Sequence, residues 1–211
     1  MSAVLVSIIG PPAAGKTTLA HYLAAELPAG LIIEDYAGNP FLAGSYAGQR
    51  QAHLPAQLYF LLSRVAQLRD SSWAEHGTFV SDYGFCQDRI YADLRLPAED
   101  LKLYDLLAGR MEATVHPPDL IIHLDASEST LLERIAVRGR EFEKAITADF
   151  LAMVRGAYNS FTRSASCPVI AVDSQAADLR RADARRALVA ETRRKMPAAP
   201  SGCRVGPPGL G

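Results

Sequence analysis

Short apolar runs alternate along the chain with longer stretches in which apolar residues recur every three or four positions. The runs are Val4 to Ile9 (VLVSII), Leu31 to Ile33 (LII), Thr78 to Ser81 (TFVS), Asp119 to Asp125 (DLIIHLD) and Pro168 to Asp173 (PVIAVD). They are rich in β-branched residues and nearly continuous in apolar character, which suits strands buried on both faces of a parallel sheet. The 3.6-residue period predicts helices over Thr17 to Leu27, Leu54 to Leu68, Asp100 to Glu112, Ser129 to Val137 and Thr147 to Tyr158, with a charged helix from Ala176 to Lys195. This alternation predicts an α/β doubly wound fold. Ligands of such sheets bind beyond the carboxyl ends of the strands, so the residues just after Ile9, Ile33, Ser81 and Asp125 are expected to line the site.

Composition narrows the class. A length of 211 residues is most simply one domain, against a working prior of about 150 residues per domain. We expect it over 1–196, followed by a flexible Pro- and Gly-rich tail, 197–211, with too little apolar surface to order itself. The 22 Lys and Arg against 23 Asp and Glu leave a net charge of -1, so no global basic field exists to hold nucleic acid or an anionic membrane surface. Basic residues crowd the last helix, but Asp178, Asp183 and Glu191 interleave them and make a solvated face the simpler reading. No run approaches the roughly 20 apolar residues of a membrane helix. The opening MSAVLVSIIGPP has neither a basic leader nor a small-residue cleavage site, so a cytoplasmic location is expected. Cys86, Cys167 and Cys203 are scattered and odd in number, which predicts free thiols and no structural metal.

The strongest chemical signal follows the first strand. Gly10-Pro11-Pro12-Ala13-Ala14-Gly15-Lys16-Thr17, extended by Thr18, fits GxxxxGK[ST] between a strand and a helix. Its glycines allow a tight turn that aims backbone N–H groups at phosphates, and the following helix adds its positive end. Lys16 would reach the outer phosphates of ATP and the Thr17 hydroxyl would ligate Mg2+. A GTPase would also need an NKxD guanine reader, which is absent. A kinase needs a carboxylate to orient the acceptor hydroxyl and cations over the moving phosphoryl group. Glu34 and Asp82 each follow a predicted strand directly, the first placed for the hydroxyl and the second for magnesium. Arg134 and Arg138 are four apart on one helix face, and Gly139 then lets Arg140 turn back, so the three can close over a phosphate. Gln57 and Arg64 lie seven apart, two turns on one face of an otherwise apolar helix. A planar base would satisfy the Gln57 amide, and Asp88 could accept from an exocyclic amine.

The combination of GPPAAGKTT, Glu34 with Asn39-Pro40-Phe41-Leu42, Tyr46, QLYFLLSR, SDYGFCQDRIYA and RGREFE resembles the deoxynucleoside kinase family, above all its bacterial deoxyadenosine and deoxyguanosine kinases. The resemblance runs from about Val4 to Asp173. It implies a P-loop NTPase fold with a five-stranded parallel sheet, an arginine-bearing lid, a homodimer, and ATP with Mg2+. It implies that Glu34 is the general base for a 5'-hydroxyl and that Tyr46 and Glu143 hold the 3'-hydroxyl. By the same resemblance Gln57, Arg64 and Asp88 read the base, and Arg134, Arg138 and Arg140 cover ATP. One position departs: where much of the family has an acid, Arg and Ser after the third strand, this chain has Asp82-Tyr83-Gly84, and the lid arginines are expected to suffice. The expected activity is ATP-dependent phosphorylation of a deoxynucleoside in nucleotide salvage. Gln57 with Asp88 suits an amine beside a ring nitrogen, which favours deoxyadenosine and leaves deoxyguanosine and deoxycytidine open. The alternatives are a nucleoside monophosphate kinase of thymidylate type and a non-catalytic nucleotide-binding regulatory module.

Overall fold

A computed structural model describes residues 3–196 apart from 70–72, 74–76, 178 and 180. The expected tail, 197–211, lies outside the described residues. Five parallel strands form the sheet: β1 (Val4–Ile9), β2 (Gly30–Ile32), β3 (Thr78–Ser81), β4 (Leu120–Asp125) and β5 (Val169–Asp173), in the order β2-β3-β1-β4-β5. All five predicted strands are present, with shifts of one residue at β2, β4 and β5. Pro168 cannot donate to a ladder, so β5 begins one residue later, although the Pro168 carbonyl still accepts from Ile121 N. Asp119 stands just before β4 and its Oδ2 accepts from the Leu5 amide at 2.9 Å. β1 lies at the centre, pairing Val4 to Ser7 with β3 and Val6 to Ile9 with β4. Its carboxyl end therefore has neighbouring strand ends on both sides, which puts the loop from Gly10 to Thr17 in the crevice of the sheet.

The helices are α1 (Lys16–Glu26), α2 (Leu42–Tyr46), α3 (Arg50–Leu68), α4 (Cys86–Arg95), α5 (Ala98–Glu112), α6 (Glu128–Arg138), α7 (Ala148–Ser164) and α8 (Ala182–Lys195), with a 3-10 turn over Glu141–Ala145. The last helix starts six residues later than its charge pattern suggests. Asp173 instead organises a turn, with Oδ1 accepting from the amides of Gln175 and Ala176. Side chains on β4 alternate between two cores. Leu120, Ile122 and Leu124 pack with Leu19, Leu23, Leu131, Ile135 and Leu188 on one side, whereas Ile121 packs with Ile90, Val154 and Tyr158 on the other. Helices thus cover both faces, as expected. A third cluster of Leu61, Val65, Ala92 and Tyr104 joins α3, α4 and α5. Among the described residues no helix is long and apolar enough to cross a membrane.

Candidate active site

The turn after β1 is set by backbone conformation. Gly10 has φ +143°, and any Cβ there would collide with the Leu124 carbonyl, so β4 and the loop lie closer than another residue allows. Ala13 and Gly15 also take left-handed conformations, at φ +62° and +100°. Lys16 folds back over this loop and donates to the Gly10 and Pro11 carbonyls at 2.9 and 3.0 Å. Burial lowers its ammonium to about 8. The next residue, Thr17, donates its hydroxyl to Asp82 Oδ2 at 2.5 Å. Asp82 follows β3, and its other oxygen accepts from the Glu34 amide at 2.8 Å. One carboxylate therefore joins the phosphate loop, the end of β3 and the end of β2.

Glu34 is held by one oxygen. Its Oε1 accepts from Arg64 Nε at 3.1 Å, from Arg64 Nη2, and from Gln87 Nε2 at 2.9 Å. Arg64 is 3% exposed and also pairs through Nη1 with Asp88 Oδ1 at 2.7 Å. Asp88 is buried behind it. Burial pushes the Asp88 carboxyl up to about 6, with Arg64 pulling the other way. The guanidinium of Arg64 lies 4.9 Å from the Phe60 ring and 5.5 Å from the Tyr83 ring. Tyr83, the departing residue, is fully buried and turns its hydroxyl to Gln67 Oε1 at 2.5 Å. The cation beside Glu34 therefore comes from α3, not from the segment after β3.

The rest of the cleft is built from α2, α3, α4 and the segment after α6. Gln57 is 4% exposed, lines the cleft, and its Oε1 has no hydrogen-bond partner. Tyr46 is flanked by the Arg95 guanidinium, 4.2 Å from its ring centre, and by the edge of Phe142 at 5.6 Å. After α6, capped by Ser127 at its start and ended by Gly139 at φ +68°, the chain turns into the cleft. Arg138 grips Glu143 with two hydrogen bonds of 2.9 and 2.5 Å. Arg140 lies 3.9 Å over the Tyr36 ring and donates to its hydroxyl at 2.8 Å.

One cleft thus brings together Pro12, Ala13, Lys16, Thr17, Glu34, Tyr46, Gln57, Arg64, Asp82, Arg138, Arg140 and Glu143. Gly10, Pro11, Ala14 and Gly15 belong to the same loop, and Thr18 to the first turn of α1. Two expected site residues do not line the cleft. Asp88 stands behind Arg64, and Arg134 turns to the loop after β5, donating to Ser174 Oγ and O at 3.0 and 2.8 Å. Sequence reasoning missed Tyr36, Tyr91, Arg95 and Phe142 as wall residues, and Gln87 as a donor to Glu34. Gln87 sits one residue before Asp88 on α4, a helix the sequence reading left unassigned. Arg95 carries no spacing signal, because what it meets is brought from α2 and α7 by the fold.

A parallel sheet with a phosphate loop after its central strand, acids after its two neighbours on one side, and arginines after the strand on the other defines a P-loop NTPase fold. The deoxynucleoside kinase family model matches residues 6–196, and the chain belongs to that family. It is 32% identical over 160 residues to the deoxyguanosine kinase of Bacillus subtilis (strain 168), covering 74% of this chain and 77% of that one. It is 32% identical over 175 residues to the deoxyadenosine kinase of Dictyostelium discoideum, covering 80% and 71%. A deoxyadenosine kinase from M. mycoides, solved with the products dCMP and a flexible dCDP bound, superposes with a TM-score of 0.76 at 21% identity, covering 92% of this chain and 100% of that one. The protein is a deoxynucleoside kinase by family, as the motif order implied.

Proposed function

We propose that the protein transfers the γ-phosphate of ATP to the 5'-hydroxyl of a deoxynucleoside in nucleotide salvage, with deoxyadenosine favoured and deoxyguanosine or deoxycytidine next. The observation that carries this reading is the junction at Asp82. A single carboxylate binds the Thr17 hydroxyl of the phosphate loop and the Glu34 amide, so a nucleotide phosphate and an acceptor hydroxyl would meet over one rigid point. Glu34 orients that hydroxyl and takes its proton as the oxygen attacks in line. Lys16 meets the outer phosphates, exchanging its two carbonyl partners for phosphate oxygens.

The Thr17 hydroxyl and the Asp82 carboxylate are adjacent hard oxygen donors, which fits Mg2+. Bound there, magnesium would neutralise charge on the phosphates. Arg138 and Arg140 face the same cleft and supply further positive charge as the phosphoryl group moves. Arg134, through Ser174, fixes α6 against the loop after β5 and so supports the segment that carries them. Tyr46 and Glu143 hold the sugar 3'-hydroxyl. Gln57 Oε1, buried and unpartnered, accepts from an exocyclic amine while its NH2 donates to a ring nitrogen. Adenine and cytosine offer that pair and thymine does not.

The protein acts in the cytoplasm as a homodimer. The exposed apolar residues Leu62 on α3 and Leu103 and Leu106 on α5 supply an apolar surface for the second copy.

Transfer of labelled γ-phosphate from ATP to a panel of deoxynucleosides, ribonucleosides and nucleoside monophosphates tests this reading. Label is expected on a purine deoxynucleoside, and Glu34→Gln should lower turnover about 100-fold while leaving ATP affinity near that of the parent. Label only on monophosphates would move the assignment to a thymidylate-type kinase. ATP binding without any transfer would leave a regulatory module.

A further inference from the structure

β2 is a short edge strand whose ladder ends at Ile32, where the carbonyl accepts from the Asp82 amide at 3.1 Å. The peptide that links Ile33 to Glu34 lies past that ladder, and side chains take over there. The Glu34 amide donates to Asp82 Oδ1 at 2.8 Å, and the Ile33 carbonyl accepts from Gln67 Nε2 at 3.1 Å. Carbonyl and amide belong to one planar unit, so a single peptide plane is gripped at both ends. One grip comes from the segment after β3 and the other from the last turn of α3.

The grip on the carbonyl has a defined polarity. A carbonyl only accepts, so Gln67 must turn its NH2 to Ile33 and its Oε1 the other way. There Oε1 accepts from the Tyr83 hydroxyl at 2.5 Å. Tyr83 is fully buried, and its own carbonyl accepts from Ser81 Oγ at 2.6 Å, so the phenol is delivered from a fixed point. Burial raises that phenol well above its ordinary value and keeps it a donor. Gln67 is anchored through its main chain as well. Trp73 Nε1 donates to the Gln67 carbonyl at 2.7 Å, and the indole stacks on Phe79 of β3 at 4.7 Å.

Asp82 and Tyr83 are consecutive, yet they reach the same peptide by different routes. Asp82 takes its amide directly, whereas Tyr83, the residue at which the sequence departs from the family pattern, acts on its carbonyl through Gln67. We propose that Tyr83 is a positioning residue for Glu34: through Gln67 it fixes the Ile33 carbonyl and, with Asp82 on the amide, locks the peptide plane from which the Glu34 carboxylate projects. This rests on the kinase reading above and deepens it. A misplacement of about 1 Å at a reacting group can cost about 100-fold in rate, so freeing one end of the plane should cost a part of that.

The test is steady-state phosphate transfer by the full chain to its best deoxynucleoside. Tyr83→Phe keeps the ring against Arg64 and removes only the hydroxyl. It should lower kcat about fivefold, with KM for ATP and for the deoxynucleoside within about twofold of the parent. Gln67→Met keeps the length of the side chain and removes both of its hydrogen bonds, and should lower kcat about tenfold. Adding Tyr83→Phe to Gln67→Met should cost less than about twofold more, because the path to Ile33 is already cut. In a Glu34→Gln background either substitution should also cost less than about twofold, because the group being positioned is gone. Parental kcat in Tyr83→Phe, a change confined to KM, full additivity of the two substitutions, or equal losses with and without Glu34 would each overturn the proposal. Absence of transfer by the parent to any deoxynucleoside, or parental turnover in Glu34→Gln, would remove the kinase reading and this proposal with it. Glu34-dependent transfer together with any of the four overturning results removes this proposal alone.

Discussion

Asp88 is 1% exposed and has one ionic partner, so burial outweighs the Arg64 cation and lifts its carboxyl from the ordinary 3.8 to about 6. A carboxyl that binds its proton more tightly in the folded state contributes stability at low pH and loses that contribution as pH rises through the folded value. For Asp88 the loss falls between about pH 4 and pH 6. Urea unfolding of the parent and of Asp88→Asn should therefore diverge with pH. The parent is expected to lose up to about 3 kcal/mol relative to the variant between pH 4 and 6.5, and parallel curves would contradict that burial effect. Cys86 shows the same physics in a thiol, pushed up to about 12 by burial. It should alkylate more slowly than an unperturbed thiol at pH 8 in a timed mass-spectrometric assay, and reaction at the rate of free cysteine would contradict that. Glu34, Asp82, Lys16 and Thr17 were legible in the sequence because each sits at a fixed offset from a strand end. The partner of Glu34 was not. Nothing in the spacing of Arg64 and Glu34, 30 residues apart, shows that a fork on α3 reaches the end of β2.

At the scale of elements, the segment from α6 into the 3-10 turn behaves as a single unit. Ser127 starts its helix, Gly139 ends it, and Arg138 and Arg140 then converge on Glu143 at 2.5 and 3.5 Å. Glu143 is 4% exposed, so a phosphate drawing on Arg138, as proposed, would have to compete with a buried carboxylate for it. Arg138→Ala should accordingly reduce turnover by about 100-fold, with a smaller change in deoxynucleoside KM. An effect confined to KM in the same kinetic assay would place Arg138 outside the phosphoryl-transfer step. The turn at Gly139 and the arginine spacing were readable, because a helix stop and a repeat of four are local facts. Helix α4 was not, since it is short and strongly polar, and its buried face carries Gln87 and Asp88 beside Ile90 and Ala92, which leaves few apolar residues to mark it.

At the scale of the molecule, Leu103 and Leu106 on α5 are 48% and 68% exposed, and Leu62 on α3 is 54% exposed. In the proposed homodimer the second copy would cover these side chains. Light scattering should report two chains per particle for the parent and one for a Leu103→Glu, Leu106→Glu variant; one chain for the parent would contradict the proposed homodimer, and two for the variant would put its contact elsewhere. The whole chain also separates what linear order determines from what folding decides. Hydrophobic period, strand-end acids and the glycine-bounded loop after β1 are local, and they sufficed for the parallel α/β fold and the family. The partners across the cleft depend on strand order and helix packing, which no local pattern encodes. Only the order β2-β3-β1-β4-β5 brings Glu34 beside Asp82 and the phosphate loop. Only the packing of α3 on α4 hands Arg64 to both Glu34 and Asp88. Where the sequence suggested a missing cation at Tyr83, the tertiary structure supplies one from α3, with the Tyr83 ring against it.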